Sequence, residues 1–263
     1  MKHSSLFTIT LLGLSLMLTS CGKDDDDEII EMEEETTVGI STPLSAFEEF
    51  NSAAVTVSFD GNQITIESNG LPNHTSPYWE ETNPLYIAPV VASRLTPGSM
   101  GGERSFTLTV SSAPEIAAFS SATGLGPIGI SVTGVPIFND TEGQNRPIEE
   151  QIVQTFDYAG AHNGPSGYHY HIESYDVPEN TVLSHDDEKL VGIMADGFLI
   201  YGRRCDANGD HPTDLDASGG HTSTTQHSDG TEFYHYHIVN EFYLGTIIAL
   251  FAGNLQGTPS SIL

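Results

Sequence analysis

The tetrad Tyr-His-Tyr-His occurs twice in this chain, at Tyr168-His169-Tyr170-His171 and at Tyr234-His235-Tyr236-His237. Tyrosine favours strands, and on a strand alternate side chains share a face, so His169 and His171 are expected together on the side opposite Tyr168 and Tyr170. Their Cβ atoms would lie about 6 to 7 Å apart, within reach of one ion held about 2.0 to 2.1 Å from each ring nitrogen. His235 and His237 repeat the pattern. A tight site needs a third donor, and His162 and His221, each following a turn rich in Gly and Ala, are the candidates because small residues allow close backbone approach. Asp157 and Asp216 stand five residues before those histidines, as ligands or as acceptors that orient an imidazole. Glu173 and Glu241 lie just beyond the tetrads, where a carboxylate could act as base if three histidines left a fourth metal position to water. His74, in a loop with the only Trp, could complete a site from a distance.

Imidazole donors suit zinc, copper, iron or nickel, with zinc or copper expected first. Asp206-Ala-Asn208-Gly-Asp210 resembles the opening of a calcium loop, but His211 and Ala217 stand where Gly and Glu are needed, so calcium is the lesser alternative. Two other readings compete. The tetrads could be a hydrogen-bonded core of a non-catalytic display or adhesion module. Alternatively, His235-Tyr-His237 with Glu241 matches part of a cupin signature, although Glu173 follows His171 too soon for the first tetrad to do so. No substrate is legible, and whether the chain is an enzyme is left open.

Each tetrad closes a longer repeat. The first unit runs Gly134-Val-Pro-Ile-Phe-Asn139, Asp157-Tyr-Ala-Gly-Ala-His162, Tyr168 to Ile172. The second runs Gly197-Phe-Leu-Ile-Tyr-Gly202, Asp216-Ala-Ser-Gly-Gly-His221, Tyr234 to Ile238. This is an internal duplication, with units at about 128–175 and 190–242.

These blocks, together with Ser68-Asn-Gly-Leu-Pro-Asn-His74, Gly129 to Asn139 and Gly192 to Gly202, resemble the YHYH domain family over about residues 55 to 257. The resemblance implies a mainly β, secreted or envelope-associated domain with a metal site, and no established reaction. Family members often have Pro in the Gly197 block and Cys before His221; here Leu199 and Ala217-Ser218 stand instead. Cys205 is expected as a small buried residue.

Lys2, an apolar stretch from Leu6 to Leu18 and Leu18-Thr19-Ser20-Cys21 look like a lipoprotein signal peptide over residues 1–20, removed to leave a lipid on Cys21. Residues 21–50 would then hold the lipidated Cys and an acidic tether, with the domain over 51–263. Acidic residues after the Cys resemble the export tag of Bacteroidetes surface lipoproteins, so the expected location is the outer membrane, displayed outward, with a periplasm-facing lipoprotein as the alternative. A net charge of −28 argues against nucleic acid as a partner. Cys21 and Cys205 are the only cysteines, and with Cys21 lipidated no intrachain disulfide can form.

Abundant Gly and Pro and short alternating runs predict a mainly β fold, a single β-sandwich or barrel-like domain with an internal two-fold repeat and few short helices. A hairpin is expected over 54–67, turning at Gly61-Asn62, and a strand over 104–110. A short helix is expected over 112–119, a loop over 140–151, and core strands in the apolar run 241–251.

Overall fold

The computed structural model describes residues 42–89, 100–173, 188–207, 209–245 and 247–263. The signal peptide, Cys21, most of the acidic tether, Asn208 of the calcium-like loop and most of the acidic segment 176–189 lie outside the described residues.

In chain order the strands are β1 (Val55–Asp60), β2 (Gln63–Ser68), β3 (Phe106–Ser111), β4 (Ser121–Ala122), β5 (Gly129–Ser131), β6 (Pro136–Ile137), β7 (Thr141–Glu142), β8 (Arg146–Pro147), β9 (Ala161–Gly164), β10 (Gly167–Tyr170), β11 (Leu190–Met194), β12 (Leu199–Tyr201), β13 (Gly220–Ser223), β14 (Phe233–His237) and β15 (Asn254–Leu255). The helical pieces are short: 3-10 turns at Leu44–Glu49 and Gly143–Asn145 and one α-turn at Glu150–Val153. The protein is mainly β, as its composition predicts. Among the described residues the sheets are open, so the barrel-like alternative is not realised. β1, β2 and β3 form a three-stranded antiparallel sheet whose hairpin turns where Gly61-Asn62 predict.

The site rests on an eight-stranded sheet ordered β13-β14-β12-β11-β5-β6-β10-β9. Read outward from its centre, each half has the same construction. An antiparallel hairpin (β5–β6, β11–β12) pairs in parallel with the tetrad strand (β10, β14), which pairs antiparallel with the strand of the upstream histidine (β9, β13). The halves meet where β5 runs antiparallel to β11, with Ile130 opposite Ile193. The duplication read from the sequence is thus a two-fold repeat in the sheet.

Alternation places the tyrosines in the core. Tyr168, Tyr170 and Tyr236 are fully buried among Ile130, Ile137, Ile193 and Ile200. Their hydroxyls need partners there. Tyr168 Oη donates to Asp157 and Tyr234 Oη to Asp216, while Tyr236 Oη donates to Asp196 at 2.6 Å.

Three expectations for local structure fail. Residues 112–119 form no helix, because Ile116 and Phe119 are exposed and nothing covers the apolar stripe that a short helix needs. The expected loop 140–151 holds the paired strands β7 and β8 with a 3-10 turn between them, and the α-turn Glu150–Val153 begins at its end. In 241–251 the described residues form isolated bridges, Tyr243 to Ile247 and Ala249 to Ile172, while Phe242 and Leu244 stay exposed.

The turns before β9 and β13 are alike. Gly160 N donates to Asp157 O and Gly219 N to Asp216 O, with φ of +77° and +80°. A Cβ on Gly160 would sit 2.1 Å from the Ile172 carbonyl oxygen. Gly160→Ala should therefore cost more than the roughly 1 to 2 kcal/mol of a left-handed residue alone, whereas Gly61→Ala, at φ +60° with open space around it, should cost no more than that. Urea denaturation of the two variants measures the difference; equal losses would contradict the steric reading.

Candidate metal centre

The register brings each set of three histidines together. His162 on β9 lies directly opposite His169 on β10, and His221 on β13 directly opposite His235 on β14. Facing positions have Cβ atoms about 4.5 to 5.5 Å apart, and His171 and His237 follow two residues on, on the same face. The result is two triads, one per half. Five strand spacings of about 4.8 Å separate β10 from β14, so the triads are about 24 Å apart along the sheet.

The loop after the central hairpin adds a fourth donor to each. Glu142 stands three residues after Asn139, and Cys205 three residues after Gly202, at equivalent places in the repeat. In the first centre, Glu142 Oε1 lies 3.2 Å from His162 Nε2 and 3.4 Å from His171 Nε2, and His162 Nε2 lies 3.1 Å from His169 Nε2. In the second, Cys205 Sγ lies 3.6 Å from His221 Nε2, and His235 Nε2 lies 3.1 Å from His237 Nε2. The ligand atoms of Cys205, His221, His235 and His237 all lie within 4.8 Å of one another, as do those of His162, His169 and His171. Nitrogens about 2.0 to 2.1 Å from a tetrahedral ion are about 3.3 Å apart, and a sulfur at about 2.3 Å is about 3.6 Å from such a nitrogen. The shortest donor pairs, at 3.1 to 3.6 Å, are close to those edges, and the remaining pairs within each histidine cluster lie inside 4.8 Å.

The opposite ring nitrogens fix the tautomers. His169 Nδ1 donates to Gly167 O (2.7 Å), His171 Nδ1 to Asn139 O (2.6 Å), His235 Nδ1 to Phe233 O (2.9 Å) and His237 Nδ1 to Gly202 O (2.7 Å). A carbonyl only accepts, so each Nδ1 keeps its proton and each neutral ring directs an Nε2 lone pair inward. His221 Nδ1 donates likewise to Asp214 at 2.9 Å. Thr155 gives its hydroxyl proton to Ile152 O, which leaves its oxygen to accept from His162 Nδ1.

Burial keeps the rings neutral. It lowers the pKa of His169 well below the usual value, that of His171 to about 4, that of His235 to about 3 and that of His237 to about 4, with neighbouring imidazoles adding to the effect. The 3.1 Å approach of His235 to His237 is therefore lone pair against lone pair. His171 Nε2 and Glu142 Oε1 are likewise buried without a hydrogen bond. Aromatic walls seal the first centre: Phe138 stacks on His169 at 4.0 Å and Phe156 on His171 at 5.5 Å.

The other sequence candidates lie elsewhere. His74 sits on the tyrosine side, its Nδ1 donating to Thr75 O and its Nε2 2.7 Å from Tyr170 Oη, so both nitrogens are used and it joins neither triad. Asp157 and Asp216 touch no ligand histidine; each accepts from a tyrosine and from turn amides such as Ala161 N and Gly220 N, which stiffens the turn. Glu173 pairs with Arg203 at 3.0 Å, a link between the halves. Glu241 is exposed at a pocket of about 250 Å³ beside His237, outside the donor cluster, and the cupin pattern does not assemble. Sequence reasoning missed Glu142 and Asp214 and set Cys205 aside. Counting three residues on from the Asn139 and Gly202 blocks would have found Glu142 and Cys205.

Together the fold and these clusters define a mainly β protein with a duplicated histidine centre that could hold a metal ion in each half of one sheet. Residues 107–213 match the family model described as YHYH protein, so the chain contains a YHYH domain, the family its motif blocks resemble. The match takes in the first centre and Cys205; His221, His235 and His237 follow it. No curated protein and no solved structure matches the chain.

The lowered pKa values set a pH dependence. In the metal-free protein the unfolded chain takes up protons near pH 6.5 that the folded rings refuse, so the stability these rings contribute is full above that pH and is lost as pH falls toward about 4. This also moves proton competition for the folded centres below the pH of about 6 expected for unperturbed histidine. The carboxyls of Asp157 and Asp196, raised by burial, work in the opposite sense, so the rings themselves are the better readout. The imidazole Cε1 proton shifts of His171, His235 and His237 in stripped protein should stay flat between pH 5 and 8, and a midpoint near 6.5 would refute the burial account.

Proposed function

We propose that this is a cell-envelope lipoprotein whose YHYH domain binds two transition-metal ions, zinc or copper, one in each half of the eight-stranded sheet. The observation that supports this most directly is the convergence of His235 and His237. Their Nδ1 protons are committed to backbone carbonyls, so two Nε2 lone pairs face one another, and a cation between them would make that packing favourable.

Four buried donor residues gather in the second centre, and Glu142 stands beside His162 and His171 in the first, so side chains of this chain can supply the four donors of a tetrahedral ion. That supports holding or handing over an ion in preference to metal-assisted hydrolysis, which needs an open position. The lipoprotein part rests on Leu18-Thr19-Ser20-Cys21 and the acids that follow, which support anchorage at the outer membrane with the domain outward.

The purified full chain should carry two ions. His171→Ala should remove one and His237→Ala the other, each leaving its partner site filled, while Tyr168→Phe should leave both. Elemental analysis with native mass spectrometry reads the count, and a metal-free wild type that takes up no zinc or copper would end the reading. Separately, cells fed labelled palmitate should mark the wild type and not Cys21→Ser; label on both would remove the lipid anchor.

A further inference from the structure

The two centres are built to one plan and differ at one donor. Glu142 and Cys205 occupy equivalent places, three residues beyond the carbonyl that holds His171 or His237. An ionised carboxylate and a thiolate bring the same charge to three neutral imidazoles, so the charge of the four donors does not separate the centres. Softness does. A thiolate is a soft donor that admits monovalent copper as well as zinc, whereas a carboxylate oxygen is a hard donor that favours a divalent ion.

The surroundings of the two centres differ as well. His221 donates Nδ1–H to the carboxylate of Asp214, where His162 in the first centre meets the neutral hydroxyl of Thr155. A carboxylate behind an imidazole raises the basicity of the opposite nitrogen and strengthens its bond to a metal. Cys205 is 1% exposed, which shields the sulfur from outside oxidants and from competing thiols. Its other neighbours, Ser223 Oγ at 3.8 Å and Thr224 O at 3.9 Å, are too distant to hold the sulfur firmly, and His221 Nε2 is nearer than either.

Building on the reading of two metal centres, we propose that they take different ions. The centre of Cys205, His221, His235 and His237 is a site for monovalent copper, and the centre of Glu142, His162, His169 and His171 is a site for divalent zinc. Selectivity then follows from a single donor in each half of a duplicated fold.

The test offers the metal-stripped full chain copper(I) and zinc(II) together, without oxygen and with a reductant, and counts bound ions by native mass spectrometry. One copper and one zinc per chain are expected. Cys205→Ser should keep zinc and bind copper(I) more weakly by at least about tenfold in competition with a copper chelator. Glu142→Cys should bind two coppers, and this variant decides the matter if Cys205→Ser does not fold. Cobalt(II) loaded into the wild type gives an independent readout, because its sulfur-to-cobalt absorption should have the intensity of one thiolate. Two zinc ions and no copper, or unchanged copper affinity in folded Cys205→Ser, would overturn the assignment while leaving two metal centres standing. Failure to bind either ion would overturn both.

Discussion

The hydrogen bond from each tetrad-histidine Nδ1 to a main-chain carbonyl is the constraint on which both centres depend. It sets the tautomer, the ring orientation and the direction of the lone pair at once. The carbonyls come from two places with different tasks. Gly167 and Phe233 lie two residues before their histidines on the same strand, so that bond is local to the tetrad. Asn139 and Gly202 lie on the neighbouring chain segment, so the second bond requires the sheet to be assembled. That segment then supplies the fourth donor, which couples the completion of each centre to the pairing of β6 with β10 and of β12 with β14.

This arrangement has an energetic cost in the absence of an ion. Buried polar atoms left without partners cost about 1 to 3 kcal/mol each, and His171 Nε2 and Glu142 Oε1 are such atoms among the described residues. The tyrosine face carries the opposing contribution. Large rings pack in the core, and their hydroxyls end on buried carboxylates such as Asp157 and Asp196, which are themselves tied to turn amides and to Gly257 N. One strand thus separates a stabilising face from a face that an ion would complete, and binding of such an ion would add to the stability of the folded state.

The triads were legible in the sequence because strand alternation and the matched Asp-to-His offsets are local signals. The mainly β class and the two-fold repeat followed from the same pattern. Glu142 and Cys205 escaped because repeats are recognised by identical residues, and here the equivalent positions differ in chemistry while agreeing in place. Asp214 escaped because Asp216, two residues on, had the repeated offset; the turn uses Asp216, and the histidine face uses Asp214. His74 misled for a physical reason, since a loop histidine beside the core can be satisfied by one tyrosine and one carbonyl. The apolar run 241–251 misled because Ile247, Leu250 and Phe251 bury themselves from irregular backbone that needs no ladder.

The seam between β5 and β11 has a bearing on ancestry. Ile130 and Ile193 are equivalent residues, and they face one another across antiparallel equivalent strands. That is the geometry of a self-complementary contact, the kind that joins identical subunits about a two-fold axis. A polypeptide of half this length would leave the same strand as a bare edge and could cover it with its twin. Fusion of the two genes would preserve the contact and free each copy to mutate alone, a freedom identical subunits never have.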